Sequence, residues 1–304
     1  MMAEKVEFLG FPNCQKLSNG SVEVVVTTDV GPRVIRYAFP GGENILGECP
    51  ENTLETELGV WRPYGGHRLW HAPEAMPRSY VPDDQPVEFE CPDQLSIRLR
   101  QAVEGPTGIR KELEVSLEEE GTEVRILHRL TNEGLWKVEL APWALTIMNG
   151  GGTVIIPQEP YISHDDYLLP ARPMVLWHYT DLTDPRFAIG KRFLRLSTDE
   201  GREEPQKIGV ANKQGWAAYY REGTLFVKKF AYEDGLTYPD CGCNCETYTA
   251  GSFIELESVG PMHELEPGEC AEYLETWFLF SDIALGESEE SIEQALEPVL
   301  KSIA

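Results

Sequence analysis

The sequence predicts an all-β protein in which large antiparallel sheets pack face to face. Short segments rich in β-branched residues recur from about residue 20 to residue 280. Clusters of Gly, Pro, Asn and Asp separate them, and their number and spacing are typical of packed antiparallel sheets rather than alternating strands and helices. The 304-residue chain shows no internal repeat, low-complexity stretch or linker. We therefore expect one domain covering residues 1–304.

The individual elements follow from local patterns. The clearest strands are predicted at residues 22–26, 33–37, 123–127, 153–156 and 224–227. Residues 149–152, Asn-Gly-Gly-Gly, are interpreted as a hairpin turn before the fourth strand. One helix is predicted at 288–303, because Ser288 is a suitable N-cap, acids follow it and apolar residues share one face. Pro298 predicts a kink or a break in this helix.

The composition and charge of the chain limit the classes of partner that it can bind. It has 51 acidic and 26 basic residues, a net charge of −25, which argues against nucleic acid or an anionic membrane as a partner. No apolar run approaches the ~18 residues typical of a membrane span. The first residues show no basic region followed by an apolar one, and seven cysteines is an odd number. These features predict a cytoplasmic protein with reduced thiols.

Residues 50–86 are rich in turn-forming residues and are predicted to be a long irregular segment with a function. Planar hydrogen-bonding groups and flat aromatic rings are concentrated in it, and this mixture suits a polyhydroxylated ligand. The candidate residues are Trp61, Tyr64, His67, Arg68, Trp70 and His71. The alternative is that Gly65 and Gly66 form a tight turn and the aromatic side chains belong to the core.

Residues 245–257 predict a β-hairpin with acids at positions where apolar side chains are expected. With the turn at Ala250-Gly251, Glu246 faces Glu255, and Glu257 lies on the same face. Two facing carboxylates repel. Unless solvent or a cation relieves that repulsion, one carboxyl keeps its proton to a higher pH, as in acid–base sites. The alternative is a solvated sheet face.

No other motif points to a cofactor or to a particular metal site. Cys241, Cys243 and Cys245 would lie too far apart along a strand for one tetrahedral metal site, which favours buried or half-buried free thiols. Residues 149–152 lack the Lys-Ser/Thr of a phosphate-binding loop, and residues 164–166, His-Asp-Asp, match no familiar metal-ligand spacing. We expect neither a cofactor nor a metal.

Several motifs together resemble the galactose-mutarotase-like superfamily, in a branch related to aldose 1-epimerases. They lie at residues 64–74, 130–134, 253–261, 265–269 and 275–277. The resemblance implies a β-supersandwich that binds a sugar on a concave sheet. It also implies that Glu255 is the general base acting on the anomeric hydroxyl and that Arg68 holds the substrate. The histidine expected after Asn132 is absent, since the chain has no histidine between His128 and His164.

The leading hypothesis is therefore a carbohydrate-binding cleft, with aldose 1-epimerase-like isomerisation as its reaction. Glu255 would remove the proton, and His67 or His71 would replace the missing acid, since histidine titrates near neutrality. The expected substrate-binding residues are Tyr64, Arg68, Trp70, Glu246 and Glu257. A non-catalytic sugar-binding module and a carbohydrate lyase or hydrolase stay as alternatives, because paired carboxylates also cleave glycosidic bonds.

Overall fold

The computed structural model of the protein describes residues 3–49 and 51–304. The first thirteen strands are β1 (Glu4–Phe8), β2 (Phe11–Ser18), β3 (Glu23–Thr27), β4 (Arg33–Ala38), β5 (Glu48–Cys49), β6 (Leu54–Thr56), β7 (Gly59–Trp61), β8 (Tyr64–Gly65), β9 (His67–Ala72), β10 (Glu88–Glu90), β11 (Ser96–Arg100), β12 (Ile109–Leu117) and β13 (Val124–Asn132). The remaining twelve are β14 (Val138–Met148), β15 (Thr153–Pro157), β16 (Met174–Leu176), β17 (Phe187–Ile189), β18 (Phe193–Ser197), β19 (Gln206–Val210), β20 (Trp216–Arg221), β21 (Thr224–Phe230), β22 (Cys245–Ala250), β23 (Phe253–Val259), β24 (His263–Leu265) and β25 (Cys270–Phe280). The helices are a 3₁₀ turn (Arg78–Tyr80), α1 (Pro239–Gly242) and α2 (Glu289–Ser302).

Two large antiparallel sheets contain most of these strands, as the sequence predicts. The first sheet has the order β1-β2-β3-β4-β9-β14-β23-β22-β19-β16, with β24 paired to β14. The second has the order β10-β11-β12-β13-β25-β21-β20-β15-β18-β17. We call them sheet I and sheet II. Their strand pairs are antiparallel throughout the described chain, and the predicted sandwich of large sheets is confirmed.

The main hydrophobic core lies between the two sheets. Sheet I contributes residues such as Val24, Leu69 and Leu256, and sheet II contributes Ile126 and Trp277, all buried. Because side chains alternate along a strand, the other face of each sheet is free for a second layer. On sheet II that layer is α2, whose apolar side packs against residues of β15, β20, β21 and β25.

Helix α2 confirms the predicted C-terminal helix. Ser288 is its N-cap, and the hydroxyl oxygen of Ser288 accepts a hydrogen bond from the Ser291 backbone N–H. Ile292, Leu296 and Val299 are buried on the predicted face. Helix α2 continues through Pro298 to Ser302, so the break that the sequence allowed at Pro298 does not occur in this helix. None of the helices among the described residues has the length and apolar character needed to cross a membrane.

Two local predictions are corrected. Residues 149–152 do not form a hairpin turn, because β14 before them lies in sheet I and β15 after them lies in sheet II. They carry the chain from one layer to the other. Residues 51–86 are also less irregular than expected: β9 is a central strand of sheet I, paired with β4 and β14. Pro50, the first residue of that predicted segment, lies outside the described residues.

Candidate functional site

A cleft rich in aromatic side chains lies on the outer face of sheet I. It is a cavity of about 470 Å³ whose floor is formed by neighbouring strands β9, β14, β23, β22 and β19. The segments around β6, β7, the 3₁₀ turn and the loop after β16 form its walls. Its lining residues include Trp61, Arg68, Trp70, Glu74, Tyr80, Trp143, Trp177, Tyr179, Lys207, Tyr248 and Glu255. We call this cavity the sheet I pocket.

Gly65 and Gly66 bring the predicted aromatic segment to the floor of the pocket. Both have positive φ, 109° and 66°. A Cβ on Gly65 would lie 2.2 Å from the Gly47 carbonyl oxygen, and one on Gly66 would lie 2.1 Å from the Val34 carbonyl oxygen. Only glycine allows this backbone approach. The chain can therefore enter sheet I at His67 and present alternate side chains of β9 to the pocket.

Alternation along β9 separates the predicted site residues into two groups. Arg68 and Trp70 face the sheet I pocket, as predicted. His67 and His71 lie at the intervening positions and point between the sheets, where both are buried. Neither histidine lines the sheet I pocket. We therefore do not propose His67 or His71 as a catalytic residue of this pocket. The sequence interpretation missed this because it treated the segment as a loop, in which alternation does not apply.

Tyr64 also lies outside the pocket. Its ring packs edge-on against Phe11, with 5.6 Å between the ring centroids, and the Arg33 guanidinium lies 5.2 Å from the centroid of the Tyr64 ring. Arg33 in turn forms an ion pair with Asp83 at 2.7 Å. Tyr64 therefore contacts Phe11 and Arg33 and is not among the residues that line the pocket.

The hairpin β22–β23 has a different register from the predicted one. The turn is Gly251-Ser252, so Glu246 faces Glu257 and Tyr248 faces Glu255. The predicted Glu246–Glu255 pair is therefore wrong. The turn centre is displaced by one residue, which shifts each partner by two positions and keeps every side chain on its predicted face. Glu246, Glu255 and Glu257 do share one face of sheet I.

Arg68 and Glu255 form an ion pair at the floor of the pocket. Arg68 Nη1 donates to Glu255 Oε1 at 3.0 Å across β14. The guanidinium carbon of Arg68 lies 4.7 Å from the Trp70 ring centroid and 5.4 Å from that of Trp61. Burial raises the pKa of the Glu255 carboxyl, while the Arg68 charge opposes that rise. The arrangement holds a carboxylate beside aromatic faces in a largely water-excluded place.

Lys207 forms the second charged centre. Its ammonium lies 2.8 Å from Glu246 Oε2 and 3.0 Å from Glu257 Oε2, and the rings of Trp143 and Trp177 flank it at 4.8 and 4.7 Å. Trp143 Nε1 also donates to Glu257 at 2.8 Å. Burial alone would lower the pKa of Lys207, but Glu246 and Glu257 together hold it well above its usual value. The single ammonium group of Lys207 therefore forms ion pairs with two carboxyl groups.

The Glu246 carboxyl is less well stabilised than its neighbour. Burial, together with the charges of Glu257 and Asp240, raises its pKa to about 8 despite Lys207. Its one close oppositely charged partner among the described residues is the Lys207 ammonium, at 2.8 Å, whereas Glu257 Oε2 also accepts from Trp143 Nε1. Protonation of Glu246 therefore removes one negative charge from the surroundings of Lys207.

Replacing Glu246 with glutamine should stabilise the protein relative to the wild type increasingly as pH rises. The pKa of Glu246 is higher in the folded than in the unfolded chain, so its contribution to stability is fully present below about pH 4.5 and is lost as pH rises through about 8. Glutamine removes that loss because it does not ionise. Urea unfolding of both proteins at pH 5.5 and pH 8.5 measures the effect. An equal difference in unfolding free energy at the two pH values would contradict it.

His67 belongs to a polar network between the sheets. His128 Nδ1 donates to the Tyr273 carbonyl at 2.9 Å, so the Nε2 atom of neutral His128 is an acceptor. His67 Nε2 donates to it at 2.7 Å, which leaves His67 Nδ1 to accept from Thr146 Oγ1 at 2.8 Å. Burial lowers the pKa of both rings, which agrees with neutral imidazoles.

Lys228 and Glu275 complete this inter-sheet network. Lys228 donates to Thr146 Oγ1 at 2.7 Å and to the Leu256 carbonyl at 3.1 Å, and its ammonium lies 2.9 Å from Glu275 Oε1. Glu275 Oε2 accepts from Trp277 Nε1 at 2.9 Å. The trio His67, His128 and Glu275 is the one group in the described chain with atoms close enough to hold a metal. Its ring nitrogens and carboxylate oxygens are already engaged with one another and with Lys228.

His71 occupies a separate polar cluster. Its Nε2 atom lies 3.8 Å from Glu104 Oε2, and Glu104 is held by Lys111 at 2.5 Å and by Thr107 at 2.7 Å. Burial alone would raise the pKa of Glu104, but Lys111 and these hydrogen bonds lower it to about 2. The cluster borders a smaller, mostly apolar cavity of about 370 Å³ between the sheets and the loop after Pro73.

Several pocket residues have no strong signal in the sequence. Lys207, Trp143 and Trp177 come from segments that are distant along the chain, and only strand pairing brings them together. Tyr248 did carry a signal, because it lies two residues after Glu246 on the same face of the hairpin. The three cysteines Cys241, Cys243 and Cys245 do not follow one strand: Cys241 is exposed in α1, while the other two are buried. All three have free thiols.

Comparisons with known proteins identify the fold. No protein-family model matches the chain, and no curated protein matches it. Among solved structures, a galactose mutarotase-like protein from Lactobacillus casei has a TM-score of 0.53 at 10% identity, and the match covers 88% of this chain and 100% of that one. The chain has the galactose-mutarotase-like fold.

Two further structures share this fold. A candidate mutarotase from Salmonella typhimurium has a TM-score of 0.55 at 12% identity, and the match covers 92% of this chain and 97% of that one. A TPR-domain containing protein from Parabacteroides distasonis has a TM-score of 0.59 at 14% identity, and the match covers 91% of this chain. This chain spans 49% of the length of the Parabacteroides protein. At such identities the similarity concerns the fold alone, so function rests on the residues of the pocket.

Proposed function

We propose that the sheet I pocket binds a carbohydrate. The observation that carries this proposal is the combination of aromatic rings with charged groups in one cavity. Trp61 and Trp70 flank Arg68, which pairs with Glu255, while Trp143 and Trp177 flank Lys207. Sugars present C–H faces that pack on aromatic rings and hydroxyl groups that pair with carboxylates and guanidinium groups. The galactose-mutarotase-like fold of the chain is consistent with this ligand class.

We further propose that the reaction is aldose 1-epimerase-like interconversion of anomers, with Glu255 as general base. A carboxylate on the floor of a water-poor pocket can accept the proton of an anomeric hydroxyl, and its raised pKa makes it a stronger base than an exposed glutamate. Arg68 opposes the rise in the Glu255 pKa and orients the carboxyl group. The ligand-binding role proposed for Glu246 and Glu257 is an indirect one, through the ammonium group of Lys207.

A non-catalytic sugar-binding module is the second candidate. It is favoured by one observation, namely that His67 and His71 face away from the pocket and cannot supply the acid. A lyase or hydrolase has less support, because the facing carboxyl groups Glu246 and Glu257 are both bound to Lys207 beneath the pocket surface rather than flanking the cleft. We also propose the cytoplasm as the compartment, in keeping with seven free thiols.

A panel of sugars separates these candidates. Thermal-shift measurements with neutral aldoses, sugar acids and sugar phosphates reveal a ligand, since binding to the native state alone raises the melting temperature. Polarimetry of freshly dissolved α-anomers then measures turnover. Accelerated equilibration without a new product supports the epimerase, and binding without acceleration supports the binding module. New reducing ends or ultraviolet-absorbing products indicate cleavage, and no shift with any sugar contradicts carbohydrate binding.

Replacing Arg68 with methionine should weaken sugar binding by about 10-fold or more while the protein stays folded. Methionine keeps an unbranched side chain between Trp61 and Trp70 but removes a charged hydrogen-bond donor, worth about 1.5–3 kcal/mol. Calorimetric titration measures the affinity, and circular dichroism checks the fold. The matched control is Arg125→Met, an exposed position on the outer face of sheet II. Unchanged affinity in Arg68→Met would assign Arg68 a purely structural role.

A further inference from the structure

We propose that Tyr248 is the general acid that protonates the ring oxygen of the sugar, in place of the absent histidine. The inference rests on the proposed epimerase function and adds a catalytic residue to it. Tyr248 lies on β22 directly opposite Glu255 on β23, with both side chains on the pocket face. Directly paired residues have Cβ atoms about 4.5–5.5 Å apart. An acid and a base at this spacing can both reach the substituents of one anomeric carbon.

Three ionisable side chains form a row across neighbouring strands of the pocket floor. Glu255 on β23 pairs with Tyr248 on β22, and Tyr248 pairs with Lys207 on β19. All three line the cavity. Tyr248 therefore lies between a carboxylate and an ammonium group. This order places the proton acceptor at one end of the row and a stabilising positive charge at the other.

The other proton donors near the pocket are less suited to this role. His67 and His71 point to the inter-sheet side. Lys207 is bound to two carboxyl groups, and Tyr80 already donates its hydroxyl to Glu74. Tyr179 lies in the loop after β16 and is 42% exposed, away from the strand pairing that fixes Tyr248 beside Glu255.

The ionisation of Tyr248 fits the task. Burial and the Glu255 charge raise the pKa of its hydroxyl to about 12, with Lys207 opposing the rise. The hydroxyl therefore carries a proton at neutral pH and can donate it, while the Glu255 carboxylate can accept one. Lys207, which pairs with Tyr248 across β19 and β22, carries a positive charge that favours a transient negative charge on the Tyr248 oxygen.

The proposed step is balanced in atoms and electrons. Glu255 takes the proton of the anomeric hydroxyl, the electron pair of that O–H bond forms the carbonyl, and the bond from the anomeric carbon to the ring oxygen breaks. The ring oxygen keeps the bonding pair and takes the proton of Tyr248. Rotation about the bond between carbons 1 and 2 then presents the other carbonyl face. Reversal of the same transfers closes the ring and restores both side chains.

The test is the kinetics of Tyr248→Phe in the full-length chain. Polarimetry with freshly dissolved α-D-galactose and α-D-glucose should show kcat reduced by about 10²-fold or more, with KM little changed, because only the donated proton is lost. The ring contact with Phe253, at 6.0 Å between centroids, is kept in this variant. Tyr161→Phe, at an exposed position far from the pocket, is the matched control and should keep wild-type kinetics.

A second variant, Tyr248→His, gives a signature that a structural role would not produce. Its imidazole can donate a proton, so part of the lost kcat should return, and kcat should acquire a pH dependence near the histidine pKa of about 6.5. Wild-type kcat in Tyr248→Phe overturns the inference, as does loss of binding without loss of kcat. A wild-type protein that binds sugar but does not accelerate anomer interconversion overturns both the epimerase reaction and the role of Tyr248. The polarimetry trace of the wild-type protein is enough to recognise this outcome.

Discussion

Replacing Glu255 with glutamine should slow anomer interconversion by about 10²–10⁴-fold while sugar binding largely survives, because glutamine keeps the shape of the side chain but cannot accept the proton. The amide oxygen can still accept from Arg68 Nη1, which donates at 3.0 Å in the wild type. The effect should therefore fall on kcat. Polarimetry measures the rate, and calorimetric titration with the same sugar measures the affinity.

The control for this variant is Glu120→Gln, which makes the same chemical change at an exposed loop position between β12 and β13. It should leave both rate and affinity unchanged. Retained interconversion in Glu255→Gln would remove Glu255 from the reaction and leave the binding-module interpretation. Loss of affinity with an unchanged kcat would instead make Glu255 a binding residue only.

Replacing Lys228 with methionine should destabilise the fold by about 3–5 kcal/mol, the usual cost of leaving one member of a buried ion pair without its partner. Lys228 and Glu275 are both fully buried, with 2.9 Å between the ammonium nitrogen and Oε1. The change would also remove the hydrogen bonds that Lys228 donates to the Leu256 carbonyl and the Thr146 hydroxyl. Urea unfolding followed by tryptophan fluorescence measures the free energy of unfolding.

Two matched variants make this test specific to the ion pair. Lys229→Met changes the neighbouring lysine, which donates to the carbonyl of Ile303 at 2.6 Å from the half-buried outer face of sheet II. It should cost about 1 kcal/mol, the usual net value of one hydrogen bond. The double variant Lys228→Met with Glu275→Gln should be less destabilised than the two single changes added together, since no unpaired charge remains. Strict additivity would show that the pair does not interact.

The inter-sheet network also explains where His67 lies. A strand whose inner face meets a second sheet must bury every other side chain, and a polar residue there needs hydrogen-bond partners. His67 finds them in Thr146 of sheet I and His128 of sheet II. Its environment is therefore that of a structural residue, although the sequence pattern around it resembles a ligand-binding segment.

The sequence by itself determined the fold class, the C-terminal helix and the shared face of the hairpin acids. These features depend on local patterns: β-branched alternation, the Ser288 N-cap and the period of two along a strand. The mixture of a guanidinium group and flat rings in residues 50–86 pointed to Arg68 and Trp70, and both side chains line the sheet I pocket. The period of two also kept Glu246, Glu255 and Glu257 on one face although the turn was misplaced, because a shift of two positions preserves the face.

Only the tertiary structure decided which of these side chains meet. The side on which His67 and Arg68 lie depends on β9 being a central strand, and this depends on Gly65 and Gly66 passing close to the backbone of Gly47 and Val34. The assignment of Lys207 to Glu246 and Glu257 depends on β19 pairing with β22 across some forty residues of chain. Such contacts join segments distant in sequence, and strand pairing leaves no periodic signal in either segment alone. For that reason the row formed by Glu255, Tyr248 and Lys207 emerges only when the sheet is assembled.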